Sequence, residues 1–181
     1  MESIGARHRQ AWPRNLSIVP DSPGECYLTW EAAPYRGETV IRSVLEKGGR
    51  LEIRIISIVD DDASQRTATA RLLRSMGFAA YAFASAREFL LSPRLSDTAC
   101  LIADVEMPGM SGVKLQEQLI AQGNTTPMIF ITAFPEDRIR EQAMRAGAIG
   151  FLAKPFDETQ LLECVERALT RLREGGGPGD A

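Results

Sequence analysis

The sequence predicts an α/β domain over roughly residues 53 to 173, built on a parallel sheet with helices on both faces. Short apolar runs recur along this stretch, and amphipathic segments of helical period alternate with them. Strict β-α alternation is the pattern of a parallel sheet, because each parallel crossover needs a connection long enough to return to its starting edge. The runs are apolar at nearly every position, as in strands buried on both sides.

The first strand is Ile53-Arg54-Ile55-Ile56-Ser57-Ile58-Val59, and it ends in three aspartates. Ala68, Leu72, Leu73 and Met76 then fall at helical spacing, closed by Gly77. Phe78 to Phe83 reads as a second strand, and Ser85 suits the N-cap of a helix over Ala86 to Leu91 that stops before Pro93. Ala99 to Ala103 is a third strand ending at Asp104, followed by the turn Met107-Pro108-Gly109-Met110-Ser111-Gly112 and a helix from about Val113 to Ala121. Met128 to Ile131 is a fourth strand ending at Thr132, and the helix Glu136 to Ala146 stops at Gly147. Ala148 to Ala153 is the fifth strand, ending at Lys154-Pro155, and Asp157 caps a last helix through about Arg173.

The first fifty residues differ. Pro13, Pro20, Pro23 and Pro34 punctuate them, with Gly24, Gly37, Gly48 and Gly49. Tyr27 to Trp30 suits a short strand, and Thr39 to Lys47 a short helix. The expected division is an N-terminal extension over 1–50, flexible or arising from a start codon placed too early, the folded domain over 51–174, and a flexible glycine-rich tail over 175–181.

The chain has 181 residues and a formal charge of −3, enough for one α/β domain and a modest extra segment. No Lys/Arg stripe follows any predicted helix, so direct nucleic-acid binding is not expected. No apolar run reaches the ~20 residues of a membrane span, and the N-terminus lacks the apolar core of a signal peptide. Cys26, Cys100 and Cys164 fit no metal or disulfide spacing; Cys100 and Cys164 lie in apolar stretches and suit small core positions. A reducing cytoplasm is the expected compartment.

In open parallel sheets, ligands sit beyond the carboxyl ends of the strands. Those ends carry Asp60 and Asp61, Asp104, Thr132 and Lys154. Helix packing asks for none of these groups there. Three carboxylates within ~5 Å repel by about 3 kcal/mol per pair at an effective dielectric near 20. A cation relieves that repulsion, and an oxygen-only ligand set without His or Cys favours Mg²⁺ or a similar hard ion.

Val59-Asp60-Asp61-Asp62, the run from Asp104 to Gly112, Ile131-Thr132-Ala133 and Lys154-Pro155-Phe156 resemble the signature blocks of response-regulator receiver domains of two-component signalling. The run as a whole most resembles the receiver half of nitrogen-fixation type regulators, and it covers about two-thirds of the chain with every block in order. The resemblance implies a flavodoxin-like, doubly wound sheet of five strands in the order 2-1-3-4-5. It implies that Asp104 accepts a phosphoryl group, with Asp61, Asp104 and the main-chain carbonyl of Glu106 on Mg²⁺ and Asp60 acting through a water. Lys154 would neutralise a phosphoryl oxygen, with a cis bond to Pro155. Thr132 would bond another oxygen, and Thr132 and Phe151 would form the switch, Phe151 turning inward. The implied partners are a sensor histidine kinase or phosphotransfer protein, a downstream protein target, and a second copy through the fourth helix and fifth strand.

The only histidine, His8, lies outside the domain, so the phosphoryl donor is expected to be a separate protein. Only the glycine-rich tail follows the last helix, so the expectation is a stand-alone receiver with no independent substrate turnover. Glu106, two residues past the acceptor, and Phe134, two past Thr132, flank the path of attacking water and leave the phosphoryl lifetime open. Other roles stay open: Asp62 or Thr132 as helix caps, Lys154 as a solvated charge, Phe151 as core. A receiver-like module that binds partners without phosphorylation is one rival. A Mg²⁺-dependent phosphohydrolase is another, though such enzymes usually carry a second Asp where this chain has Glu106.

Overall fold

A computed structural model describes residues 17–22, 25–31, 38–45 and 51–175, with side chains from 54 to 172. Strands β1 (Ser17–Ser22), β2 (Glu25–Glu31), β3 (Glu38–Leu45) and β4 (Leu51–Ile53) form an antiparallel sheet in chain order. The strand expected at Tyr27 to Trp30 lies inside β2, but the helix expected from Thr39 is strand β3. Thr39, Val40, Ile41 and Val44 are β-branched, which stiffens them against a helix. The cross-strand register Thr39–Trp30, Val40–Thr29 and Ile41–Leu28 supplies extended partners that a local reading of the segment does not see. The flexible extension expected over 1–50 otherwise falls on residues outside the described ones, as does the tail beyond 175.

The strand expected from Ile53 divides at Arg54: Ile53 closes β4, and Ile55–Val59 is β5 of a second sheet. That sheet continues with β6 (Ala79–Phe83), β7 (Thr98–Asp104), β8 (Met128–Thr132) and β9 (Gly150–Ala153). All its pairings are parallel, in the order β6-β5-β7-β8-β9, which is the expected 2-1-3-4-5. The helices are α1 (Ala63–Ser75), α2 (Ala86–Leu90), α3 (Gly112–Ala121), α4 (Asp137–Arg145) and α5 (Glu158–Gly175).

Caps explain where several helices start. Asp62 accepts from the Gln65 amide at 2.9 Å, Ser85 from Glu88 at 3.1 Å, Ser111 from Lys114 at 3.3 Å and Asp157 from Gln160 at 2.8 Å. Helix α4 begins after Glu136 without a side-chain cap, so Thr132 is not its cap.

Side chains alternate across the sheet with period two. Ile56 and Ile58, Cys100 and Ile102, and Ile129 and Ile131 face Leu73, Leu161 and Val165. Val59, Leu101, Ala103, Met128 and Phe130 face Phe89, Leu115 and Leu119. Cys100 and Cys164 are buried free thiols in the first of these layers, as small core residues. The polar pair Ser57 and Thr98 satisfies itself inside the sheet at 2.7 Å, and Thr98 donates on to the Arg94 carbonyl at 2.7 Å.

Gly112 sets how closely α3 approaches the end of β7. A Cβ there would overlap the Asp104 carbonyl oxygen and come 3.1 Å from the Phe130 ring. Gly112→Ala is therefore expected to destabilise the fold by roughly 1 to 2 kcal/mol, overpacking outweighing the gain in helix propensity. The midpoint of urea unfolding measures it; an unchanged or higher midpoint would contradict the close approach.

Candidate functional site

The site forms where β5, β7, β8 and β9 end on one edge of the parallel sheet. Alternation decides which side chains meet there. Asp104 continues the Cys100 and Ile102 side of β7, whereas Thr132 continues the Met128 and Phe130 side of β8. Asp60 follows β5 on the side of Ile56 and Ile58, and Lys154 follows Leu152 on the same layer.

Accordingly Asp60, Asp61 and Asp104 converge, with one carboxylate oxygen of each within 4.8 Å of the others. The Lys154 ammonium lies between two of them, 2.6 Å from Asp104 Oδ2 and 3.2 Å from Asp60 Oδ2. Its main-chain amide donates to the Thr132 carbonyl at 2.7 Å, which fixes the start of the β9–α5 loop. The Lys154–Pro155 bond is cis, as expected. The side chains of Lys154, Asp60 and Asp104 are 14, 7 and 11% exposed, so these ion pairs sit where water screens them weakly.

Backbone donors orient the carboxylates further. Asp60 Oδ1 accepts from the Asp62 amide at 2.8 Å, and Asp104 Oδ1 accepts from the Glu106 amide at 3.1 Å. Glu106 itself is exposed. Gly109, with φ +80°, lets the loop between β7 and α3 make the left-handed turn that returns Gly112 to Val105.

Electrostatics follow from burial and neighbours. Burial pushes the Asp60 carboxyl above its ordinary range; Lys154 and the Asp62 amide pull against this, and Asp104 adds to it. Burial pulls the Lys154 ammonium down, but Asp104 and Asp60 outweigh it and hold the group above its usual value, so it stays charged. The Gln65 amide holds Asp62 below the ordinary carboxylate range, in keeping with its role as the cap of α1 rather than a member of the cluster.

The expected switch pair, Thr132 and Phe151, makes contacts of its own. The buried Thr132 hydroxyl accepts from the Phe134 amide at 3.1 Å and donates to the Phe134 carbonyl at 3.3 Å, so it is engaged with its own loop. Phe151 already lies inside, 8% exposed and 6.2 Å from the Phe130 ring centroid, so an inward turn starts from a ring already packed. The layer of β8 and α3 offers it apolar surface, and burial of a phenyl ring is worth about 2 kcal/mol.

Arg66 was not singled out from sequence. Its Nη1 donates to the carbonyls of Asp60 at 2.7 Å and Asp61 at 3.2 Å. The available signal was a basic residue at the start of α1 with no acid in the first turn.

The chain matches the response regulator receiver domain model over residues 56–166. It is 40% identical over 131 residues to nodulation protein W of Bradyrhizobium diazoefficiens, spanning 71% of this chain and 58% of that protein. It is 41% identical over 115 residues to the response regulator protein TodT of Pseudomonas putida, spanning 64% of this chain and 51% of that protein. The chain thus spans little more than half the length of these relatives. The crystal structure of FixJ-N superposes with a TM-score of 0.61 at 37% identity, over 66% of this chain and 95% of that one.

Without divalent cation, Asp60 is costly in its charged form. A raised carboxyl pKa stabilises the fold below the unfolded value and withdraws that stability as pH rises through the folded one. Asp60→Asn is therefore expected to melt a few degrees above the unsubstituted protein at neutral pH in chelator, with the gap closing as pH falls toward 3. Differential scanning calorimetry across that range measures it; a lower melting temperature at neutral pH would refute it.

Proposed function

Because this chain belongs to the response regulator receiver domain family, we propose that it is a phosphoacceptor switch in a two-component relay, with Asp104 as the acceptor. The observation that carries this is the ammonium of Lys154 set between Asp60 and Asp104 in a cluster that also holds Asp61. A receiver needs a nucleophilic oxygen, positive charge for the phosphoryl oxygens and restricted solvent, and little covalent help beyond that.

The donor set is all oxygen and fits a hard divalent ion. Mg²⁺ would be held by Asp61, Asp104 and the Glu106 main-chain carbonyl. Asp60, whose oxygens accept from the Asp62 amide and from Lys154, would act through a metal-bound water. Bound Mg²⁺ supplies charge neutralisation to the phosphoryl oxygens. An Asp104 oxygen attacks the phosphorus of a phosphohistidine; the P–N bond breaks, a P–O bond forms, and the leaving imidazole nitrogen takes up a proton. Lys154 stays charged and passes from carboxylate to phosphoryl oxygen. The acyl phosphate returns to carboxylate by hydrolysis, without turnover of any separate substrate.

Readout follows from the added charge at Asp104. Thr132 leaves the Phe134 main chain for a phosphoryl oxygen, which frees the loop before α4. The face of α4, β9 and α5 then shifts, with Phe151 as its inner ring and Met144, 42% exposed, on its surface. That face would meet a downstream protein or a second copy of the chain; the donor would be a sensor histidine kinase or phosphotransfer protein. Among the described residues no helix is long and apolar enough to cross a membrane, and a cytoplasmic site of action suits the donor.

Incubation with acetyl phosphate and Mg²⁺, followed by intact mass, tests the proposal. A single phosphoryl addition is expected, lost in Asp104→Asn and lost when chelator replaces Mg²⁺. Addition that persists in Asp104→Asn would place the acceptor elsewhere.

A further inference from the structure

We propose that Arg66 is a positioning residue for the acidic cluster: its guanidinium holds the carbonyls of Asp60 and Asp61 so that their carboxylates stay aimed at a divalent cation. The inference rests on the cation reading of that cluster. The two bonds, 2.7 Å to Asp60 and 3.2 Å to Asp61, come from one nitrogen, so they tie consecutive peptide units to a single point. Those carbonyls lie just past the end of β5, where the sheet ladder stops supplying donors.

The location follows from helix geometry. Helical side chains lean toward the N-terminus of their helix, so the fourth residue of α1 reaches back over the loop before it. Local helix physics disfavours an arginine there. A cation in the first turn opposes the helix dipole, which the carboxylate of the Asp62 cap offsets only in part. Hydrogen bonds from a charged donor are the compensating gain, and a local rule broken beside a site points to a role in that site.

The loop is held from two sides. Arg66 takes its carbonyls, while the Asp62 amide donates to Asp60 Oδ1 at 2.8 Å and so sets the rotation of that carboxylate. Loss of the guanidinium frees the Asp61–Asp62 peptide to rotate, and the Asp62 amide that orients Asp60 turns with it.

Charge and position act with opposite signs, which makes the role measurable. A cation beside the cluster repels a divalent ion, so removing its charge alone would tighten binding. Removing a group that orients ligands weakens binding, typically 10- to 100-fold. Arg66→Met and Arg66→Lys in the full chain are to be titrated with Mg²⁺ by calorimetry, with Asp62 amide exchange followed by NMR in chelator. The expected result is a Mg²⁺ dissociation constant about tenfold higher in Arg66→Met, partly recovered in Arg66→Lys. Faster exchange at Asp62 is expected while the Leu101 and Ile102 amides in the sheet keep their rates. An unchanged or lower dissociation constant in Arg66→Met, or unchanged exchange at Asp62, overturns the positioning role. If the unsubstituted chain itself fails to bind Mg²⁺, the cation reading falls instead; the exchange measurement, which needs no metal, still decides whether Arg66 holds the loop.

Discussion

Carboxylates that converge repel, and the sheet edge tolerates Asp60 and Asp104 together because the Lys154 ammonium sits between them. At effective dielectrics near 20, one such contact offsets about as much as one carboxylate pair costs. The offset is incomplete: burial still lifts Asp60 above its ordinary range. The cluster therefore keeps a residual cost of holding its carboxylates charged, which a further cation would relieve. The parallel sheet supplies the geometry at no extra cost, since its register brings the ends of β5, β7 and β9 to one edge.

The same arrangement divides the strand-end side chains between two layers. Period-two alternation puts Asp104 and Lys154 toward the layer of α1 and α5, and Thr132 toward the other layer. Thr132 consequently occupies itself with the Phe134 main chain. In the function proposed above, a phosphoryl group on Asp104 would compete for that hydroxyl and couple the two layers through one side chain. The exposed Phe134 and the buried Phe151 lie on either side of this link, one in the loop that carries the hydroxyl and one on the neighbouring strand β9.

Much of the domain was legible before any coordinates. Caps at Asp62, Ser85 and Asp157 and the stops at Gly77 and Gly147 are local chemistry, and the helices begin and end beside them. Runs apolar on both faces named the central strands, because a strand covered on both sides has no polar face to show. The misread segment is equally instructive. Glu38–Leu45 mixes charged and branched residues with no clear period, and its extended form is decided by pairing with β2. The division of the first strand at Arg54 is also a matter of pairing, since Ile53 and Ile55 are alike locally but belong to different sheets.

The sequence by itself determined the alternation, and hence the parallel sheet and the list of polar residues at its strand ends. It could do so because strand burial, helix period and capping each act within a few neighbouring residues. Only the tertiary structure decided which of those residues meet. Lys154 reaches Asp60 across 94 positions of sequence, Thr132 turns to its own loop, Phe151 lies packed, and Arg66 grips the carbonyls of the acidic turn. Those outcomes depend on strand order and register across the sheet and on donors reaching back from a following helix, which no local stretch of sequence encodes.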